Sequence, residues 1–384
     1  MAIAQVGGPT AVINASLSGF LEAFHDHPEF QVFGIIGGMS GLLKEQFFLM
    51  HHVSRAQYPE LRNTPGAALE AGRKRLSDEH FERIIHVLRK HEIRCLVLAG
   101  GNGTMWTCRR IADCAAELGY ELQVIGIPKT VDNDLFGTDH SPGYGSAARF
   151  VAHAVRDLSY DLAAMRNFEA IRVVETMGRN VGWLAASAGL LHELADVPLF
   201  IYVPELPFHS ENMLQAVSQA NSRHGMAMVV VSEGIKDEFG RPLQMTELDR
   251  SGRRVLGGAG QRIAAQIREE LNCPCRYENL GMLQRCAGAY VSERDRKDAV
   301  RVGRRAGEAI IAGDSGVMMT LERSDDPALP GKVGQVPLSE VAGRERGIDS
   351  HWLTGENGHP VNGQFYAWLR PLIGSTEPYF RLYV

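Results

Sequence analysis

The sequence predicts an α/β fold with mainly parallel sheets, on three observations. Apolar, β-branched runs alternate with helical patterns along most of the chain. Two of these runs break directly into glycine-rich turns that open helices. A third ends on Pro128–Lys129–Thr130–Val131–Asp132–Asn133–Asp134, which puts charge at a sheet edge, where open α/β folds hold their ligands.

In order along the chain, Ala2–Val6 reads as a first strand, breaks at Gly7–Gly8–Pro9–Thr10 and gives way to a helix from about Ala11. Met1–Val6 is short for a first strand, which suggests that the true start lies slightly upstream. Gln31–Ile36 is strand-like, and Asp78–His91 has a helical pattern. Arg94–Ala99 is a buried strand that breaks into Gly100–Gly101–Asn102–Gly103–Thr104, followed by helix from Met105 to Leu118. Val124–Ile127 is the strand that carries the acidic loop, and Asp139–Gly145 crosses between halves. Ser146–Met165 and Val181–Leu194 read as helices around the strand Ile171–Val174, which leads to Thr176–Met177–Gly178–Arg179. Phe200–Val203 and Met226–Val231 are further strands, the second followed by Ser232–Glu233–Gly234. Ser324–Pro337 reads as a surface loop, and the stretch from His351 to Val384, rich in Gly, Pro and aromatics, has no assigned role.

Length and composition set the class. A chain of 384 residues is ample for two domains with proper cores. Net charge of −5, with 22% charged and 45% hydrophobic residues, is an ordinary globular balance. No basic patch with interleaved aromatics points to nucleic acid; Arg294–Arg305 mixes in aspartates and reads as a solvated helix face. No apolar run approaches the ~20 residues of a membrane span, and no charged-then-apolar signal opens the chain. Cys95, Cys108 and Cys114 fall in core elements, as reduced thiols do, so a cytoplasmic enzyme without membrane or nucleic-acid partners is expected. Cys273-Pro274-Cys275 has one-residue spacing and no second pair, a weak zinc signal.

The residue types at the strand ends suit phosphoryl transfer. One carboxylate can take a hydroxyl proton, another can hold Mg²⁺, and Lys129 offers a cation to phosphate oxygens. Glycine turns at helix starts let backbone N–H groups approach phosphate. Each piece has a plainer alternative: Asx clusters cap helices, glycine turns serve packing, and single arginines are surface charges. Their joint occurrence at strand ends favours a nucleotide or polyphosphate pocket.

The ordered motifs GGPTAVIN (7–14), TPGAAL (64–69), PKTVDND (128–134), TDHSPGYGSAARF (138–150), ETMGR (175–179) and LGMLQR (280–285) resemble the phosphofructokinase family, in both its ATP-dependent and its pyrophosphate-dependent members. The resemblance runs from Gly7 to about Asp298 and more weakly to Gly374. It implies two Rossmann-like domains with the active site in the cleft between them. Residues 1–143 plus about 290–350, including Glu293–Ala312 and a strand Gly316–Leu321, would form the phosphate-donor domain. Residues 144–289 plus the tail 351–384 would form the sugar-phosphate domain. It also implies Asp132 as the general base for a sugar 1-hydroxyl, with Thr130, Lys129 and Arg179 in the catalytic set. Met177, Gly178, Glu233, Arg285 and Thr130 would hold fructose 6-phosphate, and Arg179 would bridge sugar and transferred phosphoryl. Arg276 would reach the 6-phosphate in a neighbouring subunit of a homodimer or homotetramer. Gly7, Arg73, Gly101, Asn102, Gly103 and Thr104 would line the donor site, with Asp134 and Asn102 serving Mg²⁺.

The departures from the family pattern leave donor and acceptor open. Asn102 stands where most members have Asp, which removes a charge from the metal site and is the main argument for a catalytically silent paralogue. Gly103 leaves room for a nucleotide, whereas Lys129 and GGPTAVIN look more like the pyrophosphate-using branch; the balance favours ATP slightly. Ala170 falls where the family has a phosphate-binding arginine, and Met282 where it has histidine or tyrosine. Each charge-assisted phosphate contact contributes about 1.5–3 kcal/mol, so the loss of two opens the possibility of a different sugar phosphate unless Arg166 or Arg172 substitutes.

Overall fold

The computed structural model describes residues 1–72, 74–243, 257–324, 326 and 329–380. Its strands are β1 (Ala2–Gln5), β2 (Phe33–Ile35), β3 (Phe47–Leu49), β4 (Cys95–Gly100), β5 (Gln123–Pro128), β6 (Ile171–Thr176), β7 (Leu199–Tyr202), β8 (Ala227–Ser232), β9 (Cys275–Asn279), β10 (Val317–Leu321), β11 (Val333–Pro337), β12 (Leu353–Glu356) and β13 (His359–Val361). A seven-stranded sheet has the order β11-β10-β5-β4-β1-β2-β3, and a four-stranded sheet has the order β7-β8-β6-β9. All pairings in the smaller sheet are parallel, and in the larger one only the edge strands β3 and β11 run antiparallel. The fold is thus mixed α/β with mainly parallel sheets.

The apolar runs explain the order. Every residue of β4, β6 and β8 is buried, which suits strands covered by helices on both faces. Strand order reverses about β1 in the larger sheet and about β6 in the smaller, and loops leaving such strands open onto the crevice where α/β folds bind ligands. The chain passes from one sheet to the other between β5 and the helix Tyr144–Ala164.

That crossing is fastened by buried charge. His140 pairs with Asp139 at 2.8 Å and with Asp298 at 3.1 Å. Asp298, on the helix Glu293–Ala312, also takes Arg294 at 2.6 Å and Arg301 at 2.8 Å. Trp368 Nε1 donates to Asp139 Oδ1 at 3.0 Å from the helix Gly363–Ile373. Asp295 accepts the Gly143 and Ser146 backbone N–H groups where the helix Tyr144–Ala164 begins.

The structure corrects two sequence readings and describes part of a segment whose role the sequence left open. Val181–Leu194 is not one helix but the short helix Trp183–Ser187 and the 3₁₀ turn Ala188–Leu191. The run is almost wholly buried from Val181 to Leu191, Gly182 N is bonded to Glu205 Oε1 at 3.0 Å, and the glycines at 182 and 189 weaken its helix propensity. Within Ser324–Pro337, Val333–Pro337 is an edge strand, because β10 offers it a full antiparallel partner. Residues 352–373, in the stretch left without a role, hold β12, β13 and the helix Gly363–Ile373, and they bring Trp352, Phe365 and Trp368 against Trp183. No helix among the described residues is long and apolar enough to cross a membrane.

Candidate active site

Gly7 stands just beyond β1, after Val6, and its N–H donates to Gly72 O at 3.2 Å. Beneath it, the buried Gln5 accepts from Leu69 N and donates to Asn14 Oδ1, each at 2.9 Å. Asn14 in turn donates to Thr64 O and accepts from Ala68 N, each at 2.9 Å. The TPGAAL segment is therefore hung from the first strand–helix unit. Arg73 lies outside the described residues.

Gly101 precedes the helix Asn102–Glu117, whose N-terminus carries the positive end of its dipole. Thr104 is buried in its first turn and donates N–H to Gly101 O at 2.8 Å. A Cβ on Gly103 would have no atom within 4 Å, so this side of the turn is open. Lys129, only 3% exposed, donates through Nζ to Val6 O at 2.9 Å and Gly8 O at 2.6 Å. Its ammonium thus clamps the Gly7–Gly8 turn to the end of β5 and sets a charge there.

Asp132 N donates to Thr130 Oγ1 at 3.1 Å, which shapes the start of the acidic loop. Asn133 sits at φ +54°, a left-handed conformation that Asn tolerates, and its Oδ1 accepts from Ser141 N at 3.0 Å. Asn102 Nδ2 donates to Asp134 O at 3.0 Å and to Asp134 Oδ2 at 2.8 Å. Burial pushes the Asp134 carboxyl above the usual carboxylate range, the bond from Asn102 opposes this, and the charge of Glu345 adds to the rise. The other oxygens, Asn102 Oδ1 and Asp134 Oδ1, are buried and have no protein hydrogen-bond partner.

Two orphaned oxygens on adjoining side chains fit Mg²⁺, a hard cation that takes one or two protein ligands and fills its shell with water and phosphate oxygen. No group of three or more His, Cys, Asp or Glu side chains able to hold a metal occurs among the described residues, so an all-protein cage is not what the site offers.

On the smaller sheet, three loops converge. Met177 N donates to Gln284 Oε1 at 2.9 Å, which ties ETMGR to LGMLQR one residue before Arg285. Glu233 N donates to Thr176 O at 2.9 Å, and Gly234 N to Gly178 O at 3.1 Å. Gly178 has φ +135°, and a Cβ on Gly234 would stand 1.8 Å from Arg179 O. Both positions need glycine for the Met177–Arg179 turn to lie against Ser232–Gly234. Met177, Gly178, Arg179, Glu233 and Arg285 are thereby gathered at one end of the sheet.

Arg276 is not among them. It pairs in register with Arg172 near the start of β9, away from Arg285, and its Nε meets Glu169 at 2.8 Å. Ala170 immediately precedes β6, at the same end of the sheet. Arg172 is 3% exposed and is engaged by Asp161 at 2.7 Å and by Glu169; Arg166 pairs with Asp196 at 3.0 Å. Neither stands free to replace the arginine missing at 170. Met282 is 58% exposed.

Sequence reasoning missed a strap across the cleft. Glu345 bridges to Leu135 in antiparallel fashion, and Arg346 N donates to Asp134 O at 2.8 Å. Asn180 Nδ2 donates to both Glu345 oxygens at 3.0 and 2.9 Å, and Trp183 Nε1 donates to Arg346 O at 3.2 Å. Gln5 is the one polar residue of the first strand, and Gln284, Asn180 and Glu345 are polar residues in segments without periodicity. Only Gln284 lay inside a motif that could have flagged it.

Residues 1–310 match the Phosphofructokinase family. A protein named sulfofructose kinase from Alkalicoccus urumqiensis is 41% identical over 92% of this chain and 94% of its own. One named pyrophosphate–fructose 6-phosphate 1-phosphotransferase from Xanthomonas campestris pv. campestris is 34% identical over 98% of this chain and 91% of its own. The solved structure of a pyrophosphate-dependent phosphofructokinase from Marinobacter aquaeolei superposes with a TM-score of 0.86 at 33% identity, covering 99% of this chain and 93% of that one. The slight preference for ATP finds no support in these relatives, since the two named for a donor are named for pyrophosphate. A family match over most of the chain, full-length relatives and a shared fold together make this protein a phosphotransferase of the phosphofructokinase family.

Proposed function

We propose that this protein transfers a phosphoryl group from pyrophosphate to the 1-hydroxyl of a fructose that bears a sulfonate in place of the 6-phosphate. The observation that carries this reading is the depleted anion pocket: Ala170 and Met282 replace two expected phosphate contacts, while Arg166 and Arg172 are held by Asp196, Asp161 and Glu169. A phosphate ester carries close to two charges at neutral pH, a sulfonate only one. Removing two contacts of about 1.5–3 kcal/mol each is costly for the first anion and less so for the second. The likeness to the sulfofructose kinase points the same way.

The chain's own residues supply the steps. Asp132 takes the proton of the attacking hydroxyl as the new O–P bond forms and the donor's P–O bond breaks. A largely dissociative transition state needs that proton only late, so Asp132 requires no raised pKa. Lys129, the Gly7–Gly8 turn and the N-terminus of the helix Asn102–Glu117 receive the donor phosphates. Arg179 spans acceptor and transferred phosphoryl, and Met177, Gly178, Glu233, Arg285 and Thr130 orient the sugar. Asp134 and Asn102 would hold Mg²⁺, which when bound offsets phosphate charge. The donor half is read as residues 1–143 with about 290–350, and the acceptor half as 144–289 with 351–384. Arg276, at the far end of β9, is read as serving a second copy's acceptor.

Three observations favour second readings. Arg276 and the Xanthomonas relative favour fructose 6-phosphate as acceptor, and the open space at Gly103 favours a nucleotide as donor. Pyrophosphate and ATP, each tested with sulfofructose and fructose 6-phosphate in the presence of Mg²⁺, decide among them. The expected result is a kcat/KM for pyrophosphate with sulfofructose at least tenfold above any other pair. A preference for fructose 6-phosphate selects the second acceptor, and ATP turnover that disappears in Gly103→Asp selects the second donor. No transfer to either sugar ends the proposal.

A further inference from the structure

We propose that Glu345 is a positioning residue of the phosphoryl-transfer site, holding the Arg179 turn against the acidic loop through Asn180. The inference rests on the reading of Arg179 and Asp132 given above. These two residues leave different sheets: Arg179 follows β6, and Asp132 follows β5. Their relative placement therefore depends on what spans the gap.

The backbone of Glu345 belongs to the acidic side. It bridges Leu135, and the next residue donates its N–H to Asp134 O at 2.8 Å. Arg346 fixes the same loop further along by donating from its guanidinium to Thr138 O at 2.7 Å and Asp139 O at 2.5 Å. The side chain of Glu345 crosses to the other side, where both oxygens accept from Asn180 Nδ2 at 3.0 and 2.9 Å. Asn180 is the residue next to Arg179. A deeper anchor backs this contact: Glu205 Oε1 accepts from Gly182 N at 3.0 Å and from Ile348 N at 3.1 Å, so both strands of the join are held just behind it.

Magnitudes separate a positioning role from a structural one. A solvent-facing hydrogen bond between two exposed side chains contributes little to folding stability. A displacement of about 1 Å between reacting groups can cost on the order of 10²-fold in rate. Loss of Glu345 should therefore be felt in turnover and scarcely in melting temperature.

The test measures Glu345→Ala, Glu345→Gln, Asn180→Ala and the double Ala variant with pyrophosphate, Mg²⁺ and the better of the two sugars. Glu345→Ala is expected to lower kcat about 10- to 100-fold, with KM for the sugar within about threefold and Tm nearly unchanged. Glu345→Gln keeps an oxygen for Asn180 and should restore most of the turnover. Asn180→Ala and the double variant should each match Glu345→Ala, because the pair acts as a unit. A kcat within twofold of the parent in Glu345→Ala, additive losses in the double variant, or a Gln variant as poor as Ala would overturn the proposal. Should the parent transfer phosphoryl to neither sugar, the functional reading fails separately and amide hydrogen exchange decides. Faster exchange of Met177–Gly182 in Glu345→Ala upholds the join, and unchanged exchange refutes it.

Discussion

Asp132 and Asp134 stand two residues apart and have different surroundings. Asp134 is drawn inward, bonded by Asn102 and raised in pKa by burial, whereas Asp132 has its backbone N–H turned onto Thr130. Asn133 between them is left-handed, at φ +54°, and in the function proposed above the two carboxylates have separate roles, Asp134 as cation ligand and Asp132 as general base. Asp132→Ala should therefore lower kcat by about 10²–10⁴ while KM for the sugar stays close to the parent value. Steady-state kinetics at saturating donor checks this, and the reverse pattern would make Asp132 a binding residue. At this scale the sequence was informative wherever chemistry is written in residue type, as in the acidic loop and the glycine turns. It was silent on Gln5, Gln284 and Glu345, whose partners at Leu69, Met177 and Asn180 are brought close only by the fold.

Among the elements, the turn after β6 is the most demanding. Gly178 at φ +135° and Gly234 packed against Arg179 O leave no room for a side chain at either place. Because the obstacle to Gly234→Ala is backbone rather than a pliant side chain, the Arg179 turn itself must move. We expect Gly234→Ala to cost roughly 1–3 kcal/mol of stability and at least tenfold in kcat, as read from denaturant unfolding and kinetics together. Parent-like values of both would show that the turn has slack. Long apolar strands such as β4 and β8 were legible because two-sided burial demands such runs. β9, with the sequence CRYEN, was not, since it lies at a sheet edge with only Cys275 buried. β11 was hidden by its glycine and proline, and its strand character comes from pairing with β10.

At the scale of the whole molecule, the crossing between sheets carries a pH dependence. Burial alone would lower the His140 pKa, but the hydrogen bonds and charges of Asp139 and Asp298 outweigh it and hold the imidazolium above its ordinary range. Burial likewise opposes ionisation of Asp298, and His140 and Arg294 overcome it to bring that carboxyl down to about 2. The raised His140 lends stability that is whole below its unfolded value of about 6.5 and is lost as pH climbs through the folded value. The depressed Asp298 lends stability that is present above its unfolded value of about 3.9 and is lost as pH falls toward about 2. Thermal unfolding should accordingly shift to lower temperature as pH rises above about 6.5. His140→Gln should flatten that limb while destabilising the protein by about 1–3 kcal/mol, since Asp139 keeps Trp368 and Arg323, and Asp298 keeps Arg294 and Arg301, when the imidazolium is lost. An unchanged slope in the variant would place the dependence elsewhere. The parallel α/β class was legible at this scale because alternation of apolar runs and helical patterns is a property of the whole chain.

The strand order has a consequence for biosynthesis. β5 is flanked on one side by β4 and on the other by β10, which is encoded after the entire smaller sheet. A nascent chain can pair β1, β2, β4 and β5 early, but it leaves the edge of β5 bare until residues 317–321 emerge. At about 5–20 residues per second, that interval is on the order of ten to forty seconds. The strands of the smaller sheet, all drawn from residues 171–279, can meanwhile pair without waiting for anything downstream. The ribosome thus delivers a paired smaller sheet beside an unfinished larger one, with an unpaired edge open to mispairing at the strand that leads into the acidic loop.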